Sequence, residues 1–363
     1  MRYTAAGNRR ERGQTLIIGV LFMTVLLGFT AMAIDVGLFF EDRRHFQNSA
    51  DAMALAGVQE LPYNVPVAKQ KAMDWAANNG IRPEQVQTIE ARTKLFPNDT
   101  LYVELETDFN WIFARVLGKG TSPVGAQAAA QTGSLAGGFG AAPWALLQGE
   151  SLCLDANGNA IFNEDCAVKV GAGSSAITGW YGALDYDGPG GGSNEYESNI
   201  VDSETDNSYC VTGTTSSYCD ASIVDALDGN KVGGTGHGID VLLAAEPTAG
   251  CDDNGNGIDD FNEVFAPNPG GDPTYAVDCW DSPRIALIPI VSIDQFPVQT
   301  VTITGWTLAY LKDYACVGAQ NCQSAKGHWQ VNITIVDAVY SQTAGFMAAY
   351  DPDNGVIVRR LIE

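Results

Sequence analysis

Residues 13–35 read GQTLIIGVLFMTVLLGFTAMAID, and this stretch decides how the rest of the chain is organised. From Leu16 to Ile34 there are 19 residues without a charge. At about 1.5 Å of rise per residue, a helix of that length crosses the hydrocarbon of a bilayer. An aspartate, Asp35, ends the run, and four arginines precede it: Arg2, Arg9, Arg10 and Arg12. The sequence therefore predicts a single-pass transmembrane helix with a cytoplasmic N-terminus and an extracytoplasmic bulk.

A cleavable signal peptide is the alternative for the same run, because Ala31-Met32-Ala33 is an A-x-A site at its end. Under this alternative the chain is a soluble secreted module released after Ala33. Two features favour the anchor. The run is longer than the usual apolar region of a signal peptide. Beyond it, apolar residues continue to recur at three-, four- and eight-residue intervals, as on one face of a helix: Ile34, Leu38, Phe46, Ala50, Ala54, Val58 and Leu61.

This periodicity predicts one unbroken helix from Thr15 to Leu61 that ends at Pro62. Its far end, Ala50 to Gly57, carries small residues, so that a sheet or a second helix can approach closely. Further along, the patterns predict two helices and three strands: helices over Pro66–Asn79 and Asn110–Gly118, and strands over Gln85–Ala91, Leu101–Thr107 and Val124–Thr132. We therefore expect residues 35–132 to form a membrane-proximal α/β unit, similar in outline to a pilin.

Three short motifs surround the apolar run: R-R-x-R-G-Q at residues 9–14, A-I-D-x-G at 33–37 and Q-N-S-A-D-A-x-A-L-A-G at 47–57. Together they resemble the N-terminal region of TadE/TadG-like proteins of the Tad (Flp) pilus-assembly system. The resemblance implies a bacterial cell-envelope protein, held in the cytoplasmic membrane by one helix and tied to tight adherence and pilus assembly. The expected partners are the Tad pilus machinery or other envelope proteins, with self-association through the N-terminal helix. Ile18 stands where type IV prepilins carry Glu, five residues after Gly13, so incorporation as an ordinary pilin subunit is not expected.

The remaining sequence predicts an α+β protein of four segments. Residues 1–34 are the basic tail and anchor, and residues 35–132 are the α/β unit. Residues 133–142 (GSLAGGFGAA) form a linker rich in glycine and small residues. Residues 143–363 form an acidic, β-rich extracytoplasmic domain. Its predicted strands cover Arg284–Val291, Thr300–Tyr310, Trp329–Asp337 and Gly355–Leu361.

The negative charge is concentrated in the middle of the chain. The formal net charge is -23, and residues 135–283 hold 24 acidic residues against two lysines and no arginine. A surface of this charge repels phosphate backbones, so nucleic acid is not expected as a partner. Cations are the expected ligands.

All eight cysteines lie beyond the apolar run, which indicates an oxidising compartment and a disulfide-crosslinked domain. Eight cysteines allow 105 pairings, and connectivity does not follow from sequence alone. We favour the pairs that are neighbours in the chain, and unpaired buried thiols are the alternative. The predicted pairs are Cys153 with Cys166, Cys210 with Cys219, Cys251 with Cys279, and Cys316 with Cys322.

Residues 252–263 (DDNGNGIDDFNE) fill every required position of the calcium loop D-x-[DN]-x-[DN]-G-x5-E. Ca²⁺ takes six to eight oxygen ligands, which this spacing folds around one point. Pro247 and Pro267 exclude flanking EF-hand helices, so the segment resembles isolated calcium loops of the dockerin or thrombospondin type 3 kind. A solvated acidic turn is the alternative. The predicted ligands are Asp252, Asn254, Asn256, the carbonyl of Ile258, Asp260 and Glu263.

Residues 155–166 begin in the same way, but Ala160 and Cys166 stand where the loop needs glycine and a bidentate acid. A disulfide-closed turn is therefore favoured over a second metal loop. The weaker candidate ligands are Asp155, Asn157, Asn159 and the carbonyl of Ile161.

Signatures of catalysis such as G-x-S-x-G, H-E-x-x-H and G-x-x-x-x-G-K do not occur in the chain. A carbohydrate-active extracellular enzyme is the alternative, with Asp185 and Asp187, or Glu195 and Glu197, as an acid pair. The aromatic residues near these acids could stack on a sugar or pack in the core: Trp180, Tyr181, Tyr186 and Tyr196. The sequence as a whole predicts a membrane-anchored, non-enzymatic surface protein with a calcium-stabilised outer domain for adhesion or pilus assembly.

Overall fold

A computed structural model describes most of the chain between residues 14 and 362. The described ranges are 14–138, 140–169, 180–186, 188, 192–203, 208–214, 219–229, 231–267, 274–317, 328–340, 346–348 and 356–362. These residues divide into two compact units. The first unit holds the residues up to Thr93, Thr100–Gln131 and those from Leu361 onward. The second unit holds Lys94–Asp99 and Thr132–Arg360.

The first unit contains two helices and a three-stranded antiparallel sheet. Its elements are α1 (Gln14–Val58), α2 (Val65–Asn78), β1 (Val86–Arg92), β2 (Thr100–Asn110) and residues 121–131 of β3 (Thr121–Gly138). β2 lies between β1 and β3. The predicted long helix, second helix and three strands are present. The short helix predicted over Asn110–Gly118 is only a 3₁₀ turn, Ala114–Leu117, because β2 continues through Asn110.

The core of the first unit forms where the small-residue end of α1 meets α2 and β2. Alanines dominate the helix contact, and larger side chains of the sheet fill the space behind them: Phe46, Ala50, Met53, Ala54, Val58, Ala68, Ala72, Ala76, Leu101, Val103 and Leu105. A Cβ added at Gly57 would lie 2.7 Å from the carbonyl oxygen of Ala68 and would collide with Leu101. The predicted close approach to the thin end of the helix is therefore confirmed.

The bounds of α2 follow from its capping residues. Asn64 precedes the helix, and its side chain accepts a hydrogen bond from the backbone N–H of Val67 at 3.2 Å, as an N-cap does. At the other end Gly80 follows the C-cap Asn79 with a φ of +74°. Glycine adopts this left-handed conformation without steric cost, and the helix ends within one residue of the bound predicted from sequence.

The second unit is rich in strands. Its helices are α3 (Ser193–Val201), α4 (Val232–Leu243) and α5 (Phe261–Val264). Besides the end of β3, its strands are β4 (Leu146–Leu147), β5 (Asp165–Lys169), β6 (Trp180–Asp185), β7 (Tyr209–Cys210), β8 (Ile223–Asp228), β9 (Phe265–Pro267), β10 (Tyr275–Val277), β11 (Ile285–Ser292), β12 (Thr300–Val317), β13 (His328–Val336), β14 (Ala338–Tyr340), β15 (Phe346–Ala348) and β16 (Val356–Leu361). Seven of these strands form one sheet with the order β4-β11-β12-β13-β5. In the same sheet β8 pairs with β12, and β6 pairs with β8.

The four strands predicted in this region are all present, but they do not form one sheet. β11, β12 and β13 are antiparallel neighbours. β16 instead pairs in parallel with β14. Two clusters of buried side chains, with Trp306 in one and Trp144 in the other, form the core of the unit. The long apolar N-terminal helix followed by a β-rich region agrees with the predicted α+β class.

The linker predicted over residues 133–142 is wrong in its first part. Residues 133–138 are buried and continue β3, where they pair with β15 and β7. A Cβ added at Gly137 would lie 2.5 Å from the carbonyl oxygen of Tyr209. The glycines therefore permit close strand packing and do not serve as a flexible spacer. The boundary between the two compact units falls between Gln131 and Thr132.

Three of the predicted disulfides are present in the second unit. Their Cα atoms are 5.3, 5.8 and 5.7 Å apart in Cys153–Cys166, Cys210–Cys219 and Cys251–Cys279. Cys316 is also disulfide-bonded. Its predicted partner, Cys322, lies outside the described residues.

Candidate membrane anchor and calcium loop

The N-terminal half of α1 is long and apolar enough to cross a membrane. Its large apolar side chains are exposed throughout, in contrast to those of a core helix: Leu16, Ile17, Ile18, Val20, Leu21, Phe22, Met23, Val25, Leu26, Leu27 and Phe29. Burial begins only at Asp35, and most of the residues from Ser49 to Val58 are buried. One helix thus carries a stretch suited to lipid and a stretch packed into the first unit.

Asp35, which closes the apolar stretch, is buried and caps the turn after β2. Its carboxylate accepts backbone N–H groups from three consecutive residues: Ile112 at 3.1 Å, Phe113 at 2.9 and 3.2 Å, and Ala114 at 2.7 Å. Hydrogen bonds to an ionised acceptor are stronger than neutral ones. Asp35 therefore ties the end of the apolar stretch to the sheet.

An aromatic cluster lies beside this contact. The ring of Phe39 stacks on Trp111 with centroids 5.5 Å apart and meets the edge of Phe109 at 5.4 Å. The indole N–H of Trp111 donates to the hydroxyl of Ser122 at 2.8 Å. Tryptophan is enriched where membrane meets water, because its ring is apolar and its N–H is polar. The cluster suits the level at which α1 leaves a bilayer.

The predicted calcium loop, residues 252–263, lies in the second unit after α4 and runs into α5, and its carboxylates accept hydrogen bonds from loop amides. Both oxygens of Asp252 accept backbone N–H groups from residues 255–257 at 2.6–3.2 Å. Glu263 accepts from Asp253 and Asn254, both at 3.0 Å, through one oxygen. Each of the two acids accepts two N–H groups through one oxygen and a third N–H through the other, which leaves about one of its four lone-pair sites free. The amides hold both acids on the loop, and a metal that binds through both oxygens of Glu263 would have to displace the amides on one of them.

Three other predicted ligands of this loop, Asn254, Asn256 and Asp260, contact one another. One oxygen of Asp260 accepts from the side-chain amides of Asn254 at 2.8 Å and Asn256 at 3.0 Å. Gly257 has a φ of +83°, the turn that the sixth position of a calcium loop requires. Glu263 also accepts the N–H of Asp260 at 3.0 Å, which caps α5. The spacing read from sequence therefore gives a closed loop in which the amides bond to the acids. The carboxylates of Asp252, Asp260 and Glu263 are not all within 4.8 Å of one another.

A buried network holds the base of this loop. Asp259 is buried, and its carboxylate accepts from the N–H and the hydroxyl of Thr248 at 3.0 and 2.7 Å. Burial alone would raise the pKa of Asp259, but hydrogen bonds from Thr248 and Ser282 and the nearby Arg284 lower it. Arg284 also forms a buried, two-pronged ion pair with Glu246. The loop is thus fixed to the core of the second unit, next to Cys251–Cys279.

Sequence reasoning missed Asp35 as a cap and Arg284 as a buried partner. The sequence contains a sign that Arg284 pairs with an acid, because it is the first arginine after Arg115 and follows an acidic region. Cys251, Asp259 and Cys279 are the one group among the described residues whose acid or sulfur atoms all lie within 4.8 Å of one another. The two sulfurs form a disulfide and are not thiolate ligands.

The second acidic loop is a turn built around Asp155. One oxygen of Asp155 accepts the N–H groups of Asn157 at 2.8 Å and Asn159 at 2.9 Å. These bonds, with that of Asn159 the strongest, lower the pKa of the Asp155 carboxyl despite slight desolvation. The backbone N–H of Ile161 returns to the carbonyl of Cys153 at 3.0 Å. Cys153–Cys166 closes the segment, in line with the favoured disulfide-closed turn.

The aromatic residues considered for sugar stacking are mostly in the core. Trp180, Tyr186 and Tyr196 are buried, while Tyr181 is half-buried. Trp144 donates its indole N–H to the hydroxyl of Tyr196 at 2.8 Å, and burial raises the pKa of Tyr196 to about 12.

The acids of the considered glycosidase pairs are only partly described. Asp185 is buried, and Asp187 lies outside the described residues. A carboxylate oxygen of Glu197 is 2.5 Å from the Nδ1 atom of His237.

Comparison with known proteins finds a family match at the N-terminal end of the chain. Residues 13–60 match the Tad family, described as Flp pilus-assembly TadE/G-like. The matched range coincides with α1 and its C-terminal turn, and it confirms the resemblance found at the N-terminus. No curated protein and no solved structure gives a significant match to the chain.

Proposed function

We propose that this chain is a membrane-anchored, non-enzymatic protein of the bacterial cell envelope that acts in adhesion or pilus assembly. One coincidence carries the proposal: the family match covers residues 13–60, and the helix Gln14–Val58 occupies that range with its apolar half exposed. Exposing so many large apolar side chains to water is unfavourable, whereas lipid accepts them. The match and the helix together fit a membrane-anchored pilus-assembly protein.

The proposed topology places residues 1–34 as a cytoplasmic tail and membrane span, with the rest of the first unit and the whole second unit outside the cytoplasm. The arginines before the apolar stretch support this orientation through the positive-inside rule. The disulfides support it independently, because such bonds persist in oxidising compartments. The strongly acidic second unit is then the part that faces other envelope proteins or surfaces.

Ca²⁺ is the proposed cofactor of the loop Asp252–Glu263. What supports it is the donor set: three carboxylates, two side-chain amides and the carbonyl of Ile258 in one closed loop. The role of the ion is structural, since it neutralises acids that otherwise repel one another beside Cys251–Cys279. In an extracytoplasmic setting we assign the site to the weak class, with a dissociation constant of about 0.1 to 1 mM.

The orientation is tested with single cysteines and a membrane-impermeant maleimide, since the described native cysteines are disulfide-bonded. Ala6→Cys and Val67→Cys are expressed separately in the full chain in bacterial cells, which are then converted to spheroplasts. We expect Val67→Cys to react in intact spheroplasts and Ala6→Cys to react only after lysis. The reverse result, or reaction of both variants before lysis, would contradict the proposed topology.

A further inference from the structure

The turn that Asp35 caps exposes a concentrated set of apolar side chains. Of the residues Ile112–Leu117, here called the apolar turn, Val116 is 88% exposed, Leu117 79%, Ile112 56% and Phe113 44%. Four large apolar side chains on six consecutive residues are far more than the scattered singles of an ordinary surface. Such a concentration indicates a contact with an apolar phase.

The apolar turn lies beside the membrane-spanning part of α1. A cleft of about 270 Å³ separates them and is almost wholly apolar. It is lined by Gly28, Ala31, Met32 and Asp35 on the helix, and by Trp111, Phe113, Ala114, Val116 and Leu117 on the other side. Gly28 precedes Asp35 by seven residues, or about 10 Å along a helix axis. The turn therefore reaches back along the uncharged stretch.

The backbone of the apolar turn is unusually well satisfied for a loop. The N–H groups of Ile112, Phe113 and Ala114 donate to Asp35. Further N–H groups donate to carbonyls within the turn: Val116 to Phe113, Gly118 to Arg115 and Lys119 to Ala114. Non-helical backbone is tolerated at membrane depth only where its polar groups have partners. At least four of the six N–H groups of the turn therefore have partners within the protein.

Two cations border the apolar side chains. Arg115 lies within the turn and Lys119 lies two residues beyond its end, and both are exposed. Long basic side chains at a membrane surface extend their charged ends to the phosphates while their stems stay among apolar groups. The pattern of apolar tips, flanking cations and Trp111 matches the headgroup boundary of a phospholipid leaflet.

The geometry points to a second, interfacial membrane contact: the apolar turn inserts into the phospholipid leaflet from which α1 emerges. Val116 and Leu117 enter the acyl region, acyl chains fill the cleft against Gly28, and Arg115 and Lys119 bind lipid phosphates. Asp35 fixes the depth of insertion because it joins the turn to the helix. The inference rests on the proposed function, since it needs α1 in a bilayer. It adds that the first unit is held against the membrane and does not swing on a single helix.

The test measures the depth of single residues in the full chain, reconstituted in vesicles of phosphatidylcholine and phosphatidylglycerol in equal parts. An environment-sensitive nitrobenzoxadiazole label is attached to Leu117→Cys, and a repeat with Val116→Cys guards against misfolding of one variant. Trp75→Cys, an exposed apolar position on α2, is the matched control, and Leu21→Cys reports on the span. Quenching by aqueous iodide is compared with quenching by lipids that carry a nitroxide just below the headgroup.

We expect the labels at positions 116 and 117 to be quenched several-fold more by the lipid nitroxide than by iodide, with the opposite order at position 75. Iodide quenching at 116 and 117 equal to that at 75, while position 21 stays inside the bilayer, would overturn the inference and leave the anchor intact. Protection from both quenchers would also overturn it, because a protein would then cover the turn. Quenching of the label at position 21 by iodide would contradict the proposed membrane anchor itself.

Discussion

Asp35 and Phe113 are 78 residues apart in sequence, yet both carboxylate oxygens of Asp35 accept the backbone N–H of Phe113, at 3.2 and 2.9 Å. This contact joins the end of the apolar stretch of α1 to the turn after β2. The contact holds α1 against the rest of the first unit, so that the helix does not move independently of it. Asp35, the aspartate of the A-I-D-x-G motif, therefore has a structural role in this chain.

Replacing Asp35 with alanine removes one charged acceptor and leaves three amides without it. We expect a loss of about 1.5 to 3 kcal/mol in the stability of the first unit, the range for hydrogen bonds to charged groups. Hydrogen exchange should accelerate at residues 112–114. Asp42→Asn, an exposed change on the same helix, is the control and should leave both quantities unchanged. Unaltered exchange in Asp35→Ala would mean that the cap is unimportant.

Gly57 and Gly37 form a matched pair on α1. Alanine at Gly57 would press on Ala68 and Leu101, whereas a Cβ at Gly37 meets nothing within 4 Å. We expect Gly57→Ala to cost about 1 to 3 kcal/mol through overpacking. Gly37→Ala should be neutral or stabilising by up to about 1 kcal/mol, because alanine favours helix. Melting curves of the full chain in detergent micelles measure both. Equal effects would refute the close packing of α1 on α2 and β2.

Calcium should raise the melting temperature of the second unit. With a dissociation constant of about 0.1 to 1 mM, roughly 10 mM calcium stabilises by about 1.4 to 2.7 kcal/mol over chelator, or about 3 to 10 °C for a unit of this size. Glu263→Gln should abolish the difference. Asp253→Asn makes the same charge change in the same loop at a position that the motif does not use, and it should keep the difference. Identical melting of the unaltered chain in calcium and in chelator would refute the site.

We expect removal of the Arg284 ion pair to lower the stability of the second unit much more than removal of the Lys312 ion pair. Arg284 and Glu246 are 9% and 7% exposed, while Lys312 and Asp165 are 39% and 61% exposed. We expect Arg284→Met to cost about 3 to 5 kcal/mol, because it leaves a buried carboxylate without its partner. Lys312→Met should cost less than about 1 kcal/mol. Urea unfolding measures both.

A double variant separates charge from packing at the buried pair. Arg284→Met combined with Glu246→Met should regain much of the loss, because no unpaired charge then remains. If the double variant is as unstable as Arg284→Met alone, packing around Arg284 matters more than the charge pair.

Parts of the helices and strands of the first unit could be predicted because one face is more buried than the other. This difference produces a period of about 3.6 residues in the second half of α1 and of two residues in part of β2. Neighbouring cysteines such as Cys153 and Cys166 could be paired because little chain separates them. Contacts between distant residues leave no such period. The contact between Asp35 and residues 112–114 therefore could not be predicted from the sequence.

Residues 133–138 show a different limit. A run of glycine and alanine is typical of flexible linkers and equally of strands that pack too closely for side chains. Sequence alone does not distinguish the two, and only the neighbours of Gly137 reveal the strand. The predicted calcium loop is the opposite case, because the turn at Gly257 and the bonds from its amides to its acids follow from local spacing.

The central claim is that residues 13–35 stay in the mature protein as a membrane anchor. The most direct test is mass spectrometry of the native chain after cells are separated into membrane and soluble fractions. We predict that the chain is found in the membrane fraction and yields peptides that cover residues 13–35. A mature chain that begins at Ile34 and is recovered from the soluble or culture fraction would contradict the account.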